Sequence, residues 1–197
     1  MEQASKFPFT LQQESCRKCL ERYYKAEASI DEIDESASEH IDHVTQWICN
    51  SDKWGVMLMG SVGNGKTTLM NATIRVINLA YTNSKNRIGI NRLCHVFNVP
   101  AKRITDLARL DVNYYPLYST IVGIDDLGEE PTEVLSYGNS ITPVIDIIED
   151  RYSRRRLLIA TTNLDEGAIA KKYGSRVADR LREMMDVITF TNDSYRK

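Results

Sequence analysis

The stretch GSVGNGKTTL, Gly60 to Leu69, most constrains how this chain can fold, because it follows directly on the apolar run Val56, Met57, Leu58, Met59. A chain that leaves a buried strand through three glycines needs backbone conformations that residues with side chains resist. Gly60, Gly65, Lys66 and Thr67 fit the spacing G-x-x-x-x-G-K-[ST], in which successive N–H groups curl inward around an anion. The spacing predicts a strand, then a phosphate-binding loop of Gly60, Ser61, Val62, Gly63, Asn64 and Gly65, then a helix whose positive end faces the phosphates. Lys66, on a solvent-facing loop, is expected to reach the β- and γ-phosphates. Thr67 is expected to bind Mg²⁺ through its hydroxyl, with Thr68 beside it. The expected occupant is a nucleotide, ATP or ADP. A flexible glycine turn is the plain alternative, and the flanking strand and helix patterns argue against it.

The rest of the chain has the size and alternation that such a loop needs. With 197 residues and 42% hydrophobic content it can bury a full core, most simply as one domain with a small appendage. Residues 1–37 read as an N-terminal helical appendage and acidic linker, and residues 38–197 as the main domain. Short apolar runs at Val56–Met59, Leu93–Phe97, Ile121–Ile124, Leu157–Ala160 and Val187–Phe190 suit strands buried on both faces. Helical patterns fall between them, over Lys66–Tyr81, Ala101–Leu110, Ser140–Tyr152 and Glu166–Met184. A further helix, carrying Ile41, Val44, Trp47 and Ile48 on one face, leads into the first strand. Strand and helix in alternation imply an α/β fold with a parallel sheet and right-handed crossovers.

Composition narrows the class of partner. A net charge of −2 and a pI near 6.0 give no global attraction to nucleic acid, so contact with DNA must come from local patches. There is no run long enough to span a bilayer and no signal pattern in MEQASKFPFT, so a cytoplasmic protein without a membrane partner is expected. Cys16, Cys19, Cys49 and Cys94 are then thiols. The CxxC of Cys16 and Cys19 lies in a helical pattern with no second CxxC, which suits packing or surface thiols better than a four-ligand zinc site. His40 and His43 read as the polar face of a helix.

A phosphate loop needs a metal ligand and a group to direct water, and STIVGIDDLGEEP offers both. Asp125 and Asp126 end an apolar run, so their carboxylates emerge at the edge where open α/β sheets bind ligands. Asp125 suits Mg²⁺, and Asp126 suits orienting or deprotonating the attacking water. Glu129 and Glu130 read as a solvated acidic turn. In RRRLLIATTNLDE a second buried strand ends at Thr161, Thr162 and Asn163, and Asn163 can reach water or the γ-phosphate if its strand adjoins that of the loop.

A Walker A loop, a Walker B "GIDDLG", a sensor-1 "ATTN" and then "YGSRVADRLRE", in that order, resemble an AAA+ ATPase. Within that superfamily the sequence is most similar to bacterial helicase loaders of the DnaC/DnaI type and to IstB-type transposition helpers. The resemblance runs from Ser38 to the C-terminus, and the tail "FTNDSYRK" also resembles the ending of DnaC-type proteins. It implies a three-layer P-loop AAA+ core with a five-stranded parallel sheet of order 5-1-4-3-2, which sets Asn163 between the Walker A and Walker B strands. It implies no C-terminal lid domain and no sensor-2 arginine, since the chain ends soon after Phe190. Arg176 matches the arginine finger that reaches a neighbouring subunit's nucleotide, and Arg180 lies one turn along the same face. The plain alternative is a helix-surface pair facing Asp179 and Glu183. By resemblance the protein hydrolyses ATP slowly under stimulation by DNA, forms a homo-oligomer when bound to ATP and single-stranded DNA, and delivers a replicative hexameric helicase. An ATPase assisting a transposase and a nucleotide-gated interaction module are the alternatives. The segment Val112–Pro116 is short for the extra helix that initiators and loaders turn toward DNA.

Overall fold

The computed structural model describes residues 7, 9–88, 96–110, 122–136 and 138–196. Two helices come first, α1 (Gln13–Ala28) and α2 (Glu35–Asn50). The first ends at Ser29 in the left-handed conformation, φ 56°. The second starts at Asp34, whose carboxylate accepts the Ala37 N–H at 2.8 Å and so satisfies one of the donors a helix start leaves free. Then follow β1 (Gly55–Gly60), α3 (Lys66–Ile88), β2 (Phe97–Pro100), α4 (Ala101–Arg109) and β3 (Val122–Leu127). The chain continues through β4 (Val134–Ser136), β5 (Asn139–Ile141), α5 (Pro143–Ser153) and β6 (Leu158–Thr162). It closes with α6 (Glu166–Tyr173), α7 (Ser175–Met184) and β7 (Met185–Phe190).

Five strands form one parallel sheet in the order β2-β3-β6-β1-β7, while β4 and β5 pair antiparallel outside it. Numbered by their place in the sheet, the five run 2-3-4-1-5, the expected order read from the opposite edge. Alternation within β1 divides the core. Val56 and Leu58 join the layer of α1, α2 and α3, with Leu20, Trp47, Leu69 and Ile77, whereas Met57 and Met59 join the layer of α4, α5, α6 and α7, with Ile104, Ile147 and Leu181. Leu20 is fully buried, so Leu20→Ala would cost about 2–5 kcal/mol. Among the described residues, no helix is long and apolar enough to cross a membrane.

Three elements differ from the sequence expectation. The second strand lies at Phe97–Pro100, with only Phe97 in common with the expected run, whose residues 93–95 lie outside the described residues, as do Cys94 and Val112–Pro116. The single helix expected over Glu166–Met184 breaks at Gly174, φ 86°, and Asp165 caps its first half through the Ala168 N–H at 2.7 Å. The end of β5 stands where the start of a helix was expected, at Ser140 and Ile141, because the helix begins only at Pro143, a residue suited to a first turn. Cys16, Cys19 and Cys49 are thiols, and burial first, then the neighbouring Cys49, raises the Cys16 thiol pKa.

His40 is not on a polar face. It is buried and stacks on Phe190, with ring centroids 3.7 Å apart and planes 14° apart. Burial pushes its imidazole pKa down, against an opposing hydrogen bond to the Thr189 backbone. The folded chain therefore resists a proton that the unfolded chain accepts below about pH 6.5. Stability from this group is full above that pH and falls below it. Thermal denaturation should show a Tm that drops from pH 7 to pH 5.5 more steeply in the wild type than in His40→Phe, and equal slopes would contradict this account.

Candidate nucleotide-binding site

At the C-terminal end of β1 the backbone turns through Gly63 (φ 84°) and Gly65 (φ 96°), conformations that favour glycine. Lys66 opens α3 and folds back over the loop. Its ammonium donates to Gly60 O at 2.8 Å, Ser61 O at 2.6 Å and Asn64 Oδ1 at 3.0 Å. Lys66 is buried, which corrects the expectation of a solvent-facing side chain. Burial lowers its pKa and Arg196 lowers it further, while Asp126 and Asp125 oppose both. Leu69 N–H makes a helical bond to Gly65 O, so the N–H groups of Lys66, Thr67 and Thr68 belong to the first turn, where a helix has no partners of its own to offer. Ser61 and Val62 are exposed at the loop crest, while Asn64 is buried.

The second wall comes from β3 and β6. Their register shifts between Ile124 and Leu127, and Asp126 sits in that irregularity at φ 54°. Asp125 stays buried while Asp126 turns out to solvent. Asp125 Oδ1 accepts the Thr161 hydroxyl at 2.5 Å and the Thr67 hydroxyl at 3.0 Å. Thr161 Oγ1 in turn accepts the Asp126 N–H at 2.8 Å, so one hydroxyl fixes both aspartates. Two hard oxygens 3.0 Å apart, one of them a carboxylate, fit adjacent ligand positions on a small octahedral dication, and Thr67 with Asp125 could hold Mg²⁺. Burial, then Asp125 and Glu129, raise the Asp126 carboxyl pKa against the pull of Lys66 and Arg196. Asn163 follows β6, the strand between β1 and β3, and is half-buried.

Arg176 and Arg180 lie elsewhere, on α7. They converge on Glu149 of α5 rather than on Asp179 or Glu183. Arg180 Nη1 is 2.5 Å from Glu149 Oε1, without hydrogen-bond alignment, and Arg176 Nε is 3.5 Å from the same oxygen. Arg180 also lies over the Tyr152 ring. The Arg176 side chain is 73% exposed and that of Arg180 only 18%, so Arg176 is the one that a second molecule could reach. Glu183 accepts the Tyr152 hydroxyl at 2.6 Å, and Asp179 accepts from Arg182 at 2.6 Å.

Glu130 departs from the expected solvated turn. It is buried, accepting the Tyr173 hydroxyl at 2.5 Å and the Gly128 N–H at 2.9 Å, and it anchors the turn after β3 to α6. Sequence reasoning passed over Thr161 as well. Its signal was a β-branched hydroxyl directly after the apolar run LLIA, at the level where β3 ends. A cavity of about 690 Å³, lined by Phe9, Trp54, Arg151 and Glu183 among others, lies at the opposite ends of the strands and takes no part in this site.

Asp126 carries a disfavoured charge in a left-handed conformation that asparagine also tolerates. Removing the charge should leave Tm equal or higher in Asp126→Asn at pH 7. A clear fall in Tm by calorimetry would mean that the carboxylate stabilises the fold.

No protein-family model and no curated protein matches this sequence. Among solved structures the chain is similar to the DnaC helicase loader, with a TM-score of 0.61 and 23% identity over 86% of this chain and 99% of that one. It is similar to DnaI, with a TM-score of 0.62 and 19% identity over 94% of this chain and 100% of that one. It also resembles AMPPCP-bound DnaA from Aquifex aeolicus, with a TM-score of 0.55 and 18% identity over 83% of this chain and 49% of that one. The chain therefore shares the fold of the DnaC and DnaI structures.

Proposed function

We propose that this protein is an ATP-binding and ATP-hydrolysing switch of DNA replication, which assembles on single-stranded DNA and delivers a replicative hexameric helicase. The observation that carries the nucleotide site is the single Asp125 oxygen that takes hydroxyls from both α3 and β6, drawing the glycine loop, the two aspartates and the end of the Asn163 strand to one place. The fold shared with DnaC and DnaI supports the loader reading.

Each side chain then has a defined task. Phosphates entering the loop compete with Gly60 O, Ser61 O and Asn64 Oδ1 for the Lys66 ammonium, and they offer the stronger, charge-assisted partner. Thr67 and Asp125 would hold Mg²⁺, which would supply charge neutralisation for the phosphates. Asp126, exposed and with a raised pKa, orients water and takes its proton. Asn163 orients the same water or the γ-phosphate. Arg176 acts on nucleotide held by a neighbouring copy, and Glu149, which Arg180 also approaches, sets its direction.

Lys66→Ala should lose tight ATP binding in equilibrium titration with a fluorescent analogue. Asp126→Asn should keep it and hydrolyse about a hundredfold more slowly or worse. Arg176→Ala should bind ATP normally yet lack the rise in turnover that protein concentration and single-stranded DNA give the wild type. Mixing Arg176→Ala with Lys66→Ala should restore part of that rise, because a subunit lacking Lys66 can still lend Arg176. A co-assembled mixture as inactive as its parents would rule out action in trans. Capture of the hexameric helicase in a pull-down supports loading, whereas capture of a transposase would make the protein a transposition helper.

A further inference from the structure

The chain does not leave the sheet after β7. Residues 191–196 turn back across the phosphate loop, and Tyr195 N–H donates to Gly63 O at 2.9 Å. Asn192 Nδ2 donates to Asn64 O at 3.3 Å, and Asn64 Nδ2 donates to Phe190 O at 3.3 Å. Packing against the loop is as close as the hydrogen bonding. A Cβ at Gly63 would lie 2.2 Å from Ser194 Oγ and 3.3 Å from Cγ and Cδ of Arg196, and one at Gly65 would lie 3.3 Å from the Tyr195 ring. The two glycines of the loop thus leave room for the tail as well as for an anion. Burial, and then the nearby carboxylate of Asp34, the group that caps α2, raise the Tyr195 hydroxyl pKa. The tail is a strap fixed at the loop and lying near the start of α2.

The strap carries Arg196 beside the loop, exposed, and among the described residues no carboxylate pairs with its guanidinium. Its charge is felt at Lys66 and at Asp126, on both walls of the site. The Arg196 side chain runs beside the loop, its Cγ and Cδ 3.3 Å from where a Gly63 Cβ would lie, so its exposed guanidinium is available to an anion entering there. We propose that Arg196 is a nucleotide-binding residue, held in cis by the strap Asn192–Arg196, which gives the polyphosphate in the loop a second, permanent cation beside Lys66. A guanidinium is permanently charged and presents a planar fork of N–H donors that suits phosphate oxygens. The ligand class is a nucleoside di- or triphosphate, and adenosine without phosphates should not register the residue. This assignment rests on the nucleotide site proposed above.

The test is equilibrium binding of fluorescent ATP and ADP analogues to the full chain, with adenosine as a competitor and Tm measured for each variant. Arg196→Ala should keep its Tm and weaken both nucleotides by about tenfold at low salt. Arg196→Lys should recover most of that loss, the gap should narrow as salt rises, and adenosine should compete equally in all of them. Binding that needs Lys66 and is indifferent to Arg196 overturns the role of the strap alone. Tighter binding by Arg196→Ala also overturns it, since the strap would then be a cover that excludes nucleotide. A wild-type chain that binds no nucleotide overturns both the strap and the site.

Discussion

A carboxylate buried at the edge of a sheet must be given donors, and for Asp125 they come from two different elements. Thr67 stands on the first turn of α3 and Thr161 on the last residues of β6, and both hydroxyls meet on one oxygen. Because that oxygen belongs to β3, three parts of the chain that are distant in sequence are held at one level. The strand order makes the meeting possible: β6 lies between β1 and β3, so its end faces the loop on one side and the aspartates on the other. The same hydroxyl of Thr161 takes the Asp126 N–H and stabilises the left-handed residue, which is why one aspartate can be buried and its neighbour exposed.

The site is crowded with charge, and the charges are balanced across its two walls. Lys66 is buried against carbonyl oxygens, with Asp125 and Asp126 opposing the loss of its proton. Asp126 has its own proton held more tightly by burial and by the neighbouring acids. Both groups are thereby displaced from their ordinary state in the direction that an incoming polyphosphate and its cation would reverse. The proposed binding of a charged ligand draws on these perturbed groups of opposite sign facing one cleft.

How much of this was legible in the sequence follows from how local each feature is. The places of the loop, its lysine and the two aspartates were readable because glycine spacing and an apolar run ending in acids are local patterns. The sheet order came from the resemblance, since the alternation of elements implies parallel pairing but not which strand lies next to which. The break at Gly174 was hidden because the apolar spacing continues through it on both sides. His40 and Glu130 were misread for one reason: a polar residue is expected in solvent unless its partner is known, and their partners, Phe190 and Tyr173, are 150 and 43 residues away. The strap was missed because six polar residues after the last strand have no periodicity, and only their contacts with Gly63 and Asn64 give them a place.

The central claim is that Asp125 holds the metal of a Mg·ATP complex and that Thr161 keeps it in position. Its most direct test is a Mg²⁺ titration of nucleotide binding in wild type and in Thr161→Val, which keeps the shape of the side chain and removes the hydroxyl. A folded Thr161→Val should need about tenfold more Mg²⁺ or beyond for half-maximal binding, with its metal-free nucleotide affinity unchanged. The same Mg²⁺ requirement as the wild type, in a folded variant, would contradict the account.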